Sequence, residues 1–370
     1  MMSIPSTMTA VVLTGHGGFE KLEIRHDVPV PTPNMNEVLI RVAATGINNT
    51  DINTRIGWYS KSINSDTNTG GGSGYVDLNS DDAGWSGVAL QFPRIQGADV
   101  CGEIVAVGTG ISSSRIGERV LVGVMMRTPA GNQPFLTSTF GSECDGGFAQ
   151  FCVAPAAETY TVSCDWSDTE LASIPCSYST AENALHRVGL QAGETILITG
   201  ASGGVGSAVI QLAKRRGATV FAICGAGKKA AVQELGADEV LERSSDLSDI
   251  FKPESIDVVF DVVVGKEWTK LLDVLKRGGR YVTVGAIAGP MVELDVRTLY
   301  LKDLTLMGCT YQEAGVFENL IGYIERNEIR PVVAGTYPLT EIVKAQQFFL
   351  AKQFVGNIVL LPPHKLNSSR

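Results

Sequence analysis

Apolar positions fall in short runs along the chain, and their period shifts from strand-like to helix-like partway through. Residues 37–43 (EVLIRVA) alternate apolar and charged positions as a half-buried strand does. Residues 9–13, 22–24, 101–108, 118–124 and 147–155 share that character. From residue 165 the pattern changes. Helices are predicted over 168–174 and 179–186, and Ile196, Leu197 and Ile198 form a compact run that fits a buried parallel strand. Val205, Ala208, Val209, Leu212 and Ala213 then recur at helical spacing, Gly217 ends that helix, and 219–223 reads as a second strand. Strands at 258–264, 280–284 and 305–310 follow, with a helix over 268–275 that stops at Gly278-Gly279. Such alternation predicts a doubly wound parallel sheet. Two more helices, 317–325 and 340–352, precede a closing strand at 355–361. The fold class is therefore α/β, in three stretches: 1–164, β-rich; 165–312, the parallel sheet; and 313–370, returning to the β-rich part.

Three stretches depart from this pattern. Residues 46–59 (GINNTDINTRIGWY) are dense in polar groups between apolar strands. Residues 60–92 are rich in Gly, Ser, Asn and Asp, and are too long for an ordinary connection, so they form a functional loop or a mobile insertion. Residues 125–146 are also irregular.

The chemistry centres on the turn between the strand 196–198 and its helix. Gly200, Gly203, Gly204 and Gly206 lie there. Strand, glycine turn, helix and strand together are the context of a dinucleotide-binding turn: the backbone approaches a pyrophosphate, and free N–H groups at the helix start meet its charge. An NAD site places an acid about 20 residues past the first glycine. Here the corresponding stretch is Cys224-Gly225-Ala226-Gly227, followed by Lys228 and Lys229, with Arg243 beyond. Cations without an acid suit a 2′-phosphate, so NADPH is the expected cofactor.

Composition narrows the field. A net charge of −9 argues against nucleic acid and against an anionic membrane surface. No apolar run is long enough to span a bilayer, and MMSIPSTMTA has no signal-peptide pattern. Seven cysteines without a CxxC pair read as free thiols in a reducing compartment, so the expected location is cytoplasmic. The expected partner is a small-molecule substrate. An apolar edge strand at 305–310 adds a second copy of the chain as a homodimer partner.

Taken together, these segments resemble the medium-chain dehydrogenase/reductase superfamily over nearly the whole chain. The resemblance rests on GINNTDINTRIGWY, GADVCGEIVAVG, DGGFAQFCVAP, GASGGVG, GGRYVTVG and VGNIVL. It implies a GroES-like β-rich catalytic domain and a Rossmann cofactor domain. The pattern is most similar to the zinc-free quinone oxidoreductase and enoyl reductase branch, through Gly46, Asn48, Asp51, Arg55, Gly57 and Tyr59. Ala201, Ser202, Gly203, Gly204, Val205 and Gly206 would hold the cofactor, with Ala201 in place of a first glycine. Thr180, Lys228, Arg243, Gly285 and Asn357 would complete its site, Arg243 standing where an aromatic is common. Asp51 and Arg55 are expected to hold their loop as an ion pair.

Related alcohol dehydrogenases bind zinc through a Cys, a His and a second Cys; this chain has Asn48, Ala98 and Cys176 at those positions, with Asp99 beside Ala98. An amide and a methyl group do not replace a thiolate and an imidazole, so no metal is expected. Thr50 nevertheless matches the hydroxyl that relays protons in those dehydrogenases. The resemblance therefore implies hydride transfer from NADPH to a quinone or an α,β-unsaturated carbonyl, with Asn48, Thr50 and Tyr59 as catalytic candidates. Alcohol–aldehyde interconversion, with a metal held partly by Cys176 and Asp99, is one alternative. A cofactor-binding structural protein is the other.

Overall fold

The computed structural model describes residues 4–126, 135, 138–313 and 315–363. Two sheets carry the fold. In the cofactor half, six parallel strands are ordered Glu239–Glu242, Thr219–Cys224, Thr195–Ile198, Ile256–Asp261, Leu275–Thr283 and Thr305–Gly308. This is the doubly wound α/β arrangement expected from the alternating pattern. Ile196, Ile198, Val220, Val258, Phe260 and Val282 are fully buried between its helix layers. One boundary differs from the sequence pattern. The helix Trp268–Val274 ends before the two glycines, and Gly278 and Gly279 lie inside the strand Leu275–Thr283. Gly278, at φ +72°, absorbs the bend there.

The second sheet belongs to the β-rich half. Its strands run Thr159–Thr161, Arg119–Val122, Cys101–Val107, Glu37–Ile47, Asn357–Leu361 and Val333–Pro338, and Phe151–Pro155 also pairs with Glu37–Ile47. The C-terminal strand thus lies antiparallel beside the long strand Glu37–Ile47, with Ile358 opposite Ile47. At its start, Gly356 N–H donates to the Ser202 carbonyl at 3.0 Å. The last strand therefore ties the glycine turn of one half to the central strand of the other.

The polar stretch 46–59 becomes the end of a strand followed by a helix, Asn49–Ile56. Asn48 precedes the first helical residue, and the Asp51 carboxylate reaches back to accept its N–H at 2.7 Å. Gly57, at φ +73°, stops the helix, and Leu78 fills the space where a side chain would stand. Arg55 is fully buried but does not pair with Asp51, contrary to expectation. Its guanidinium donates to Gln346 Oε1, Gly17 O and Gly71 O at 3.0, 2.8 and 2.6 Å and lies over Phe19. Asp51 and Arg55 are one helical turn apart, yet Arg55 extends outward into the surrounding loops while Asp51 folds back to the helix start. Burial lowers the Arg55 pKa to about 10.

The strand Thr305–Gly308 lies at the outer edge of the parallel sheet, and the helix before it, Val296–Leu301, buries none of its residues. Val296, Tyr300 and Leu301 are each more than half exposed, beside an equally exposed Met291. An apolar helix next to an unpaired strand edge is a surface for association, and the expected occupant is a second copy of the chain. Light scattering at micromolar concentration should give twice the mass of one chain; a monomeric mass would rule this out.

Candidate active site

The helix Gly204–Arg215 begins where the strand Thr195–Ile198 ends, and close packing accounts for its glycines. A Cβ on Gly206 would lie 2.4 Å from Gly200 O, and one on Gly204 would lie 2.3 Å from Asn357 Oδ1. Gly203 differs: it is exposed, and a Cβ there would meet nothing closer than 3.6 Å. Gly204 and Val205 are half-buried beside it, while Ala201, Ser202 and Gly206 are buried beneath. The top of the turn is thus open and presents the N–H groups of a helix start, as a pyrophosphate needs. It stands at the carboxyl ends of the parallel strands, where open α/β sheets bind ligands. Gly285 follows the strand Leu275–Thr283 at the same end.

Asn357 is buried, and its Nδ2 has no hydrogen-bond partner. A buried donor of this kind is costly unless a ligand completes it. Nearby, Lys228 Nζ donates to Ser202 Oγ at 3.3 Å and to the Lys352 carbonyl at 2.5 Å. That carbonyl closes the C-terminus of the helix Ile342–Ala351, which favours a cation. Burial, and then the charge of Arg243, lowers the Lys228 pKa. Lys352 was not found from the sequence. Its ammonium donates to Asn49 Oδ1 at 3.0 Å and lies over the Phe349 ring, and burial together with Lys228 lowers its pKa to about 7. No sequence signal marks it, because it stands more than a hundred residues from the glycine turn. Lys228, Arg243 and Lys352 thus form a partly buried group of like charges. The open turn, the unpartnered Asn357 amide and this cation group fit a dinucleotide.

Through its bond to Asn49, Lys352 reaches the helix Asn49–Ile56, which with its flanking residues supplies the catalytic candidates. Thr50 is buried in its first turn, and the Tyr59 hydroxyl donates to Thr50 Oγ1 at 3.4 Å. The Thr50 hydrogen is left to donate onward. Burial raises the Tyr59 pKa well above its ordinary value, so the phenol stays protonated through the neutral range. Asn48 is partly committed: its Nδ2 donates to Asp99 Oδ2 at 2.7 Å. The other Asp99 oxygen accepts the Cys176 N–H at 2.6 Å. Gly46 makes room for this carboxyl, since a Cβ there would lie 2.3 Å from Asp99 Oδ2. Thr180 is half-buried one turn after Cys176 on the helix Pro175–Arg187, and so shares its face.

A tetrahedral metal does not fit this donor set. Asn48 and Ala98 supply neither thiolate nor imidazole, and both Asp99 oxygens are already occupied. Burial, and then the neighbouring Asp99, push the Cys176 thiol well above its usual pKa, so it stays protonated in the metal-free protein. Cys176 packs instead with Ala98, Val124, Met125 and Trp85. Among the described residues, no group of three or more His, Cys, Asp or Glu side chains could hold a metal.

A family model described as alcohol dehydrogenase GroES-like domain matches residues 34–163, and one described as zinc-binding dehydrogenase matches 204–326. The acryloyl-coenzyme A reductase of Metallosphaera sedula is 30% identical over 95% of this chain and 99% of its own length. The chain belongs to the medium-chain dehydrogenase/reductase superfamily. Within this superfamily it is also 29% identical to the quinone oxidoreductase of Rattus norvegicus, over 96% of this chain and 98% of the relative. A Sinorhizobium meliloti 1021 protein, described provisionally as an alcohol dehydrogenase, has a crystal structure with a TM-score of 0.87. It is 46% identical, and the match covers 98% of this chain and 99% of that one. The chain is accordingly a nicotinamide-dependent oxidoreductase of this superfamily, with a GroES-like and a Rossmann-type domain.

The buried carboxyls give a pH signature. Burial raises Asp51 and Asp99 from 3.8 to about 7. Between those values the folded chain holds protons that the unfolded chain releases, so stability falls as pH rises through the window. Asp99→Asn removes one such proton. The difference in Tm between variant and wild type should move in the variant's favour from about pH 5 to about pH 8. A difference independent of pH would mean that Asp99 carries the same charge folded and unfolded.

Proposed function

We propose that this protein uses NADPH to reduce a quinone or an α,β-unsaturated carbonyl compound without zinc. The observation that carries the reading is the connection of two features through Lys352, whose ammonium donates to Asn49, the residue before Thr50. One is the cation group of Lys228, Arg243 and Lys352 beside an open glycine turn. The other is the Tyr59–Thr50 hydroxyl pair beside a donor set unsuited to a metal. The names of the acryloyl-coenzyme A reductase and quinone oxidoreductase relatives support the substrate class.

Bound NADPH supplies a hydride to the electron-poor carbon of the substrate. Negative charge then develops on the substrate oxygen. Thr50 donates to that oxygen, and Tyr59 supports Thr50 by donating to it in turn. The raised Tyr59 pKa keeps this chain of donors intact at neutral pH. Asn48 is held by Asp99 and shapes the pocket floor. Lys228 offers charge to the 2′-phosphate, Lys352 beside Asn49 offers charge to the pyrophosphate, and Asn357 offers its unpartnered amide to the cofactor. Alcohol–aldehyde interconversion is the second reading, favoured by Thr50 and by the Sinorhizobium protein's provisional description.

Lys228→Ala should weaken NADPH binding, measured by titration, and leave NADH nearly unchanged. A charge-assisted contact contributes about 1.5–3 kcal/mol. Equal losses for both cofactors would remove Lys228 from the phosphate site. NADPH oxidation against a panel of quinones, enones and aldehydes should proceed on the first two classes and survive chelation. Thr50→Val should lower kcat by about 10²–10³, and Tyr59→Phe should lower kcat more than it raises KM. Turnover of aldehydes alone, lost together with stoichiometric zinc, would replace this reading with the second.

A further inference from the structure

Residues 60–92 leave the catalytic half immediately after Tyr59, and their fold is built rather than loose. Trp58 Nε1 donates to Ser65 O at 2.9 Å, and Asp66 Oδ1 accepts the N–H groups of Asn68 and Thr69 at 2.8 and 3.0 Å. Ile63, Thr67 and Ala83 are buried. The first half of the segment crosses to the cofactor half: Thr67 N–H donates to Ile287 O at 3.1 Å, in the loop that follows Gly285. The same half also meets the C-terminal return, where Gly71 lies against Leu350.

The second half of the segment turns back over the pocket. Gly84 N–H donates to Val88 O at 2.8 Å, and Ser86 N–H donates to Glu143 Oε1 at 3.0 Å. These bonds fix the turn that carries Trp85. Its indole lies 5.0 Å from the Tyr59 ring, centroid to centroid. It also packs against the buried cluster of Ala98, Val124 and Met125, as Cys176 does. Ala98 and Cys176 are two of the three positions that hold zinc in the related alcohol dehydrogenases, so Trp85 stands beside the reacting centre. These bonds hold the backbone of the turn, and packing on Tyr59 and on the buried Ala98, Val124 and Met125 holds the indole.

We propose that Trp85, held by the strap 60–92, limits the size of the substrate beside Thr50 and Tyr59. The surrounding wall is apolar, so the group it faces is a compact hydrocarbon portion of a carbonyl compound. Bulky or branched substituents are refused by the indole. This inference rests on the reading that the Thr50–Tyr59 pair receives the substrate oxygen.

The test measures kcat/KM for compact and bulky members of each substrate class. The pairs are 1,4-benzoquinone with 2-methyl-1,4-naphthoquinone, 3-buten-2-one with 4-phenyl-3-buten-2-one, and propanal with 3-phenylpropanal. Affinities of the same compounds for the enzyme with bound NADP⁺ are measured in parallel by calorimetry. Trp85→Ala should raise the bulky-to-compact ratio by at least about 10-fold, since a single methylene already discriminates about 10–200-fold in an apolar pocket. Trp85→Phe should fall between, and the KM for NADPH should stay unchanged in both. An unchanged ratio in folded protein, for either variant, overturns the inference. Turnover confined to aldehydes overturns the functional reading instead, while the size ratio is still read within that class. No turnover and no binding by any compound overturns both.

Discussion

One backbone hydrogen bond, from Gly356 N–H to the Ser202 carbonyl, joins the two halves at the point where the chemistry is assembled. Gly356 has φ +92°, and a Cβ would stand 2.2 Å from Val332 O, so only glycine allows the approach. The next residue, Asn357, reaches Gly204 at the glycine turn and begins the strand that pairs with Glu37–Ile47. That strand runs directly into Asn48 and the helix Asn49–Ile56. The spacing between cofactor turn and hydroxyl pair is therefore set by sheet geometry rather than by loops. Rigid elements hold a reacting constellation more closely than loops can.

The region so formed brings together groups that are costly to bury. Lys228, Arg243 and Lys352 gather like charges, and the Asn357 amide lacks a partner. Asp51 and Asp99 are buried with pKa values near 7. Each arrangement costs stability in the free protein. Two other buried charges are completed internally. Arg55 reaches three oxygen acceptors, and Asp261 accepts from Thr199, Tyr281 and two backbone N–H groups. The gathered cations and the unpartnered Asn357 amide lie where a charged cofactor would enter, and an anion there would offset their cost.

The replaced zinc-ligand positions form a connected unit. With Asn48 and Ala98 in place, Asp99 turns both oxygens to the protein, and Gly46 leaves room for it. Cys176 gives only its backbone N–H to this network, while its thiol joins an apolar wall with Trp85. In the proposed function, hydroxyl donors on this short helix and just beyond it take the place of a Lewis acid. Such donors stabilise developing charge only if they are held in advance. The strap 60–92 contributes to that by packing Trp85 on Tyr59 and tying Thr67 to the opposite half.

The sequence alone determined the features written in local period and spacing. The change from strand-like to helical period specified the α/β architecture, because side-chain direction follows backbone geometry. The glycine turn, the missing acid after Thr219–Cys224 and the absent zinc ligands were also legible, since each depends on residue type at a fixed offset. Residues 46–59 were recognised as unusual, but not as a helix whose Arg55 leaves Asp51 for Gln346, nearly three hundred positions away. Lys352, the Asn48–Asp99–Cys176 network and the reach of 60–92 across the cleft came only from the tertiary structure. These contacts join residues that share no element and no periodicity. Their partners are chosen by burial and by the need of each enclosed polar group for a hydrogen bond, and the completed fold alone decides which groups are enclosed together.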